Sequence, residues 1–203
     1  MNKAFSLLTG LLICCQAIIA QINPIASGTE IPMKEVAMKD ISGKSVSITD
    51  AMKGNGVLVI FMCNTCPYVI KNQDRISNLT DITTKFDIGM IAINSNEAFR
   101  ENEDSYEAMK TYANEIRLNC AYVLDTDNKL ADAFGAKRTP ECFLFDKNMK
   151  LVYHGAIDDN PNDANAVKRN HLAEAMNEIF IGKEVSMKET QSIGCGIKRK
   201  KKV

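Results

Sequence analysis

Net charge is the first thing this sequence lacks: 25 Lys plus Arg stand against 25 Asp plus Glu. A domain so balanced has no basic face to hold a phosphate backbone, so nucleic acid is excluded as a partner of the whole domain. Histidine is scarce, with only His154 and His171. A structural zinc site wants a second Cys or His pair at matched spacing, and no second Cys-x-x-Cys supplies one. No segment repeats at the period of a solenoid. Asp125-Thr126-Asp127-Asn128 begins like a calcium loop, but Leu130 and Ala136 stand where Gly and Glu are required. Asp158-Asp159-Asn160-Pro161 is most simply a turn.

Long unbroken apolar runs are also missing. Met1 to Gln21 comes nearest, with one Lys near the start and an apolar stretch broken by Ser6, Thr9, Gly10 and Gln16. This layout predicts a signal peptide over residues 1–20, hence export to the periplasm or another extracytoplasmic space. An uncleaved anchor is the alternative, and would be the one membrane contact, although the run is short for a span. Removing it takes only Lys3 from the charge balance. Cys14 and Cys15 lack the small preceding residue of a lipidation site. Lys198 to Lys202 forms a basic run, read as a solvated end with at most a weak hold on a membrane surface.

Five cysteines follow the leader: Cys63, Cys66, Cys120, Cys142 and Cys195. They are too few for a disulfide-dense scaffold, which a chain of 203 residues does not need. Their number is odd, so at least one thiol is unpaired or reacts with a partner. Val57 to Phe61 is a continuous β-branched, aliphatic and aromatic run, the pattern of a strand covered on both faces. Cys63 lies just past it, and Pro67 follows Cys66 where a helix can begin. Val69, Ile76, Leu79, Thr83 and Phe86 continue at the spacing of one helix face. A Cys-x-x-Cys at a strand-to-helix junction reads as a redox motif.

Along the chain, 21–32 reads as an extended leader. Lys34 to Lys39 and Val46 to Ile48 form a predicted hairpin, and Thr49 or Asp50 caps a short turn. Met90 to Ile93 is a second buried strand. Asp104 or Ser105 caps a helix whose face is Tyr106, Met109, Ala113 and Ile116. Cys120 to Leu124 is a strand, and Leu130 to Phe134 a helix stopped by Gly135. Glu141 to Phe145 and Leu151 to His154 make a second hairpin, and His171 to Ile181 a closing helix. One α/β domain over 33–182 follows, with a mixed sheet, helices on both faces and an N-terminal β-hairpin. Residues 183–203 read as a flexible tail.

These features together resemble the thioredoxin superfamily, in its redoxin branch of peroxiredoxin-like proteins and exported thiol:disulfide oxidoreductases. The resemblance is carried by Phe61-Met62-Cys63-Asn64-Thr65-Cys66-Pro67, Ile91 to Asn96, Ala133-Phe134-Gly135-Ala136, Thr139-Pro140-Glu141, and Phe143 to Asp146 through Val152 to Gly155. The ending Ser192 to Lys198 is similar to the tail of one peroxiredoxin-like group. The resemblance implies a thioredoxin-like fold, and a cis Pro140 facing the cysteines with Thr139 and Pro140 offering a backbone edge to substrate. It also implies partners: protein disulfide substrates and an upstream thiol donor. No cofactor is called for, and nothing sets an oligomeric state.

Two departures bear on activity. Met62 replaces the aromatic residue usual before the first cysteine, in a chain with no Trp. Ile60 and Cys63, not Thr, stand three residues before Cys63 and Cys66, which weakens the alternative of a thiol peroxidase. A Cu(I)-handling domain on the same fold is a further alternative, without an evident third ligand.

In thiol–disulfide exchange the thiolate attacks, so Cys63 is the expected nucleophile, moderately acidified, and Cys66 the resolving thiol. Glu141 is read either as the group that takes a proton from Cys66 or as an exposed strand-start carboxylate, because Val57 stands where thioredoxins carry a buried acid. Cys120 and Cys142 read as small buried hydrophobes, Cys142 also as a minor redox candidate. Cys195, between Gly194 and Gly196 in the expected mobile tail, is a candidate third redox thiol that would resolve Cys63.

Overall fold

The structure, a computed structural model, describes residues 23–200. The predicted signal peptide lies outside the described residues. In chain order come β1 (Met38–Lys39), β2 (Ser45–Val46), α1 (Ile48–Ala51), β3 (Gly56–Phe61), α2 (Pro67–Lys71) and α3 (Gln73–Lys85). Then follow β4 (Gly89–Asn94), α4 (Tyr106–Glu115), β5 (Ala121–Leu124), α5 (Lys129–Phe134), β6 (Arg138–Thr139) and β7 (Glu141–Asp146). β8 (Leu151–Gly155), α6 (His171–Phe180) and β9 (Cys195–Gly196) complete the order.

The central sheet runs β5-β4-β3-β7-β8, parallel from β5 to β3 and antiparallel from β3 to β8. All six residues of β3 are buried, as its unbroken apolar run requires of a central strand. Strand alternation sends Leu58 and Ile60 to one core and Val57, Val59 and Phe61 to the other. Val69, Ile76, Leu79, Met109, Leu172 and Met176 cover the first face from α2, α3, α4 and α6. Ile48 of α1 and Leu130, Ala131 and Phe134 of α5 cover the second. There Phe134 packs edge-on against Phe61, Phe143 and Phe145 at centroid distances of 5.2 to 5.8 Å. The sheet is therefore mixed and two-sided.

Local chemistry moved several boundaries. Ser47, rather than Thr49 or Asp50, caps α1, in a reciprocal capping box with Asp50. Ile48 thereby enters a helix, and the N-terminal hairpin shrinks to Met38–Lys39 against Ser45–Val46. The single long helix expected after Pro67 is two, because Asn72 leaves helical geometry at φ −103°, ψ 3°. Its side-chain amide donates to the carbonyls of Tyr68 and Pro161, the latter 89 positions away. No local periodicity reports such a partner.

The expectation of a flexible tail over 183–203 is corrected for the described part. Val185 and Ile197 are buried. His154 N–H donates to the Lys188 carbonyl and Thr190 N–H to the His154 carbonyl. β9 pairs with β6, and Arg199 forms an ion pair with Asp132 at 2.8 Å. Lys198 and Lys200 give backbone N–H bonds to Asn96 and Asn128. Two apolar anchors and a series of backbone bonds to distant residues hold what reads locally as a polar end.

β3 begins at Gly56 with φ +128°, where a Cβ would lie 2.0 Å from the Phe145 carbonyl oxygen of β7. Only glycine allows the central pair to start in this register. Gly56→Ala is expected to cost at least about 2 kcal/mol, from positive-φ strain and overpacking. A denaturant titration checks this, and a loss under about 0.5 kcal/mol would contradict it.

Candidate active site

β3 delivers the chain to the site. Met62 N–H still bonds to the Ile93 carbonyl at 3.0 Å, so the backbone stays extended up to Cys63. Cys66 is the N-cap of α2 and Pro67 its first residue. Proline is suited to that position, since its missing N–H would have no partner in a first turn. Both cysteines are buried, at 1% and 3% exposure.

Across from them lies the junction of β6 and β7, where the Thr139–Pro140 peptide is cis. Cys63 Sγ lies 3.5 Å from Thr139 Oγ1, and Cys66 Sγ 3.0 Å from the Thr139 carbonyl oxygen. One residue therefore touches both sulfurs, with its hydroxyl at one and its carbonyl at the other.

The two thiols share a hydrogen bond, so one ionises at the expense of the other. Cys66 is lowered to about 4, first by the bond from Cys63 and then by Cys195, Thr139 and the Val69 backbone, against burial. The same sulfur–sulfur bond, with burial, raises Cys63 above the ordinary thiol range, and the Asp104 charge adds to this. The reduced pair thus keeps one thiolate and one shared proton, and the expected acidification belongs to the pair rather than to Cys63 alone. A five-residue helix adds only a small dipole beside these direct bonds.

Beside the Cys63–Cys66 loop sits a buried carboxylate, Asp104, whose position in the sequence suits a helix cap. Ser105 performs the capping of α4. Asp104 is fully buried instead, and accepts from Asn64 N–H at 2.9 Å and from the Asn94 and Asn96 amides at 2.8 Å each. Asn64 itself accepts from the Tyr122 hydroxyl at 2.9 Å and donates to the Glu103 carbonyl. Asn64, between the cysteines, is thereby tied through Asp104 to Asn94 of β4 and directly to Tyr122 of β5. Two adjacent candidate caps, Asp104 and Ser105, were the available signal that one had another task. No sequence pattern singles out Tyr112 of α4. Its buried hydroxyl has no hydrogen-bond partner among the described residues, and burial first, then the charges of Cys63 and Cys66, hold it protonated.

Glu141 is not brought to Cys66. Register places it opposite Phe61, and its neighbour Cys142 joins the core that holds the cysteine pair. Strand alternation turns the carboxylate to the other face. There it accepts from Lys137 N–H and Arg138 N–H at 2.7 Å and meets His154 Nε2 at 2.7 Å. It is buried, so the exposed-carboxylate reading fails as well. Glu141 holds the 137–138 backbone in place, one step removed from the sulfurs.

Burial pushes Cys120 up to about 12 and raises Cys142 further, which leaves both as apolar filling. Among the described residues, no three His, Cys, Asp or Glu side chains group to hold a metal ion. Cys195, expected to be exposed, is half-buried. Its hydrogen-bonding neighbour is Cys66 rather than Cys63.

The fold and this junction define a thioredoxin-like protein. Residues 28–154 match the AhpC/TSA family, and the chain belongs to that family. The thiol-disulfide oxidoreductase ResA of Bacillus subtilis (strain 168) is 26% identical over 136 residues, which are 67% of this chain and 70% of that protein. An uncharacterized conserved protein from Geobacillus kaustophilus superimposes with a TM-score of 0.81 at 32% identity, covering 88% of this chain and 94% of that one. A thioredoxin-like protein in its oxidised form shares the fold, with a TM-score of 0.58 at 18% identity over 78% of this chain and 97% of that one.

The coupled pair gives the reduced fold a pH signature. The folded pair keeps one thiolate down to about 4, whereas an unfolded thiol is protonated below about 8.5. Between those values the unfolded chain binds more protons, so stability rises with pH. Above the ordinary thiol range the raised Cys63 keeps its proton only when folded, and the slope reverses. Denaturation midpoints of reduced wild type, referenced to the Cys63→Ser, Cys66→Ser double variant, should climb from pH ~5 to ~8 and fall above ~9. A pH-independent difference would contradict the coupling.

Proposed function

We propose that the chain is an exported thiol:disulfide oxidoreductase that reduces or rearranges disulfides of protein substrates, with Cys63 and Cys66 as its redox pair. The observation that carries this reading is the convergence of both sulfurs on Thr139, beside a cis proline that leaves a backbone edge. Membership of the AhpC/TSA family and the similarity to ResA support it. Export rests on the pattern of residues 1–20, and no described helix is long and apolar enough to cross a membrane.

The chemistry uses the shared proton. Cys63 attacks one sulfur of a substrate disulfide while its proton passes to the Cys66 thiolate. A bond forms between Cys63 and that sulfur, and the other substrate sulfur leaves as a thiolate, which solvent protonates. Cys66, now a thiol, donates to the Thr139 carbonyl oxygen. It then attacks Cys63 Sγ, its proton goes to the departing substrate sulfur, and the Cys63–Cys66 disulfide remains. The substrate has gained two electrons and the pair has lost them. An upstream dithiol returns the pair to its reduced form. A thiol peroxidase gains nothing from these observations, since no Thr stands three residues before either cysteine.

The Cys66→Ser protein should accumulate a mixed disulfide between Cys63 and a protein substrate such as insulin, visible on non-reducing gels and located by peptide mass spectrometry. The Cys63→Ser protein should fall to background in dithiol-driven insulin reduction. Retention of full turnover without Cys63, together with no trapped partner, would sink the reading.

A further inference from the structure

β9 occupies the edge that the proposed function assigns to a substrate strand. Thr139 pairs with Cys195 and Arg138 with Gly196 in an antiparallel ladder, and Ile197 N–H donates to the Lys137 carbonyl at 3.0 Å. Gly194 permits this approach, since a Cβ there would lie 2.2 Å from the Thr139 carbonyl oxygen. The strand is fastened beyond the ladder as well: Lys198 N–H donates to Asn96 Oδ1 and Ala98 N–H to the Lys198 carbonyl, each at 2.9 Å. Cys195 packs against the core that contains both site cysteines, within hydrogen-bonding reach of Cys66.

We propose that Ser192 to Lys198 is an internal substrate strand and that Cys195 is the third thiol of the exchange relay, an inference that rests on the dithiol reading above. After a substrate has been reduced, the Cys63–Cys66 bond is a disulfide and Cys195 is a thiol. The Cys195 sulfur attacks Cys66 Sγ. The Cys66–Cys195 bond forms as the Cys63–Cys66 bond breaks, and the electron pair leaves on Cys63. The proton released by Cys195 goes to Cys63, so the step is an isomerisation without net oxidation. Deep in the fold a disulfide is hard for an external dithiol to reach. On β9, at a half-buried residue of a two-residue strand, it is carried to the surface and reduced there, and both thiols are restored. The same strand keeps the reduced pair covered until a substrate displaces it.

The test uses the full-length chain. Reduced Cys63→Ser protein is oxidised with diamide, and its disulfides are mapped by peptide mass spectrometry without reduction. A Cys66–Cys195 link within one chain is the expected result. Its yield should fall about tenfold or more when Gly194→Val is added, because the held thiol then loses its high effective concentration. Unlinked Cys66 and Cys195, or an intermolecular Cys195–Cys195 dimer, would overturn the relay. Cys195→Ser protein treated in the same way separates the two levels. A Cys63–Cys66 link there upholds the dithiol reading independently of Cys195, whereas its absence overturns that reading and the relay with it.

Discussion

Thr139 is held between two constraints, and the chemistry of the site depends on the result. The antiparallel pairing of β7 with β3 sets Glu141 opposite Phe61, at the very end of the central strand. The chain two residues beyond Phe61 is Cys63, so Thr139, just before Pro140 and β7, faces it. Glu141 then accepts from the N–H groups of Lys137 and Arg138, which keeps the preceding backbone from swinging away. Thr139 can therefore present its hydroxyl to Cys63 and its carbonyl to Cys66 without a side chain of either cysteine moving. A backbone carbonyl cannot change its protonation, so it favours the thiol form of Cys66 once a proton arrives and leaves the pair to share what remains.

The Cys loop needs support from the other side as well. Asp104 collects three donors, one from the loop itself and two from the end of β4. A buried carboxylate is tolerable only where such bonds replace its water, and here they do. This buried acid enters from the loop before α4 and is aimed at Asn64 rather than at a sulfur. Loss of Asp104 would leave buried amide donors without partners, at a cost of about 1–3 kcal/mol each.

Much of this was legible in the amino acids because it is local. The run Val57 to Phe61, the position of Pro67 and the alternation of Cys142, Phe143, Leu144 and Phe145 are each enough to place a strand, a helix start and two opposed faces. Thr139-Pro140 marked the facing loop only through resemblance. Three of the differences share a physical cause, a partner far along the chain. Asn72 breaks a helix for the sake of Pro161, Asp104 turns inward for Asn64, and β9 binds Thr139 across 56 residues. Glu141 illustrates the reverse, since strand parity alone would have turned it away from Cys66.

The most direct measurement is the cysteine connectivity of the wild-type chain equilibrated in glutathione redox buffers, read by acid quenching, alkylation and peptide mapping. The account expects Cys66 to lose its free thiol together with Cys63 or, after the isomerisation, together with Cys195, two electrons at a time, while Cys120 and Cys142 remain reduced throughout. Oxidation of Cys63 without Cys66, or a disulfide that draws in Cys120 or Cys142 while the pair stays reduced, would contradict it.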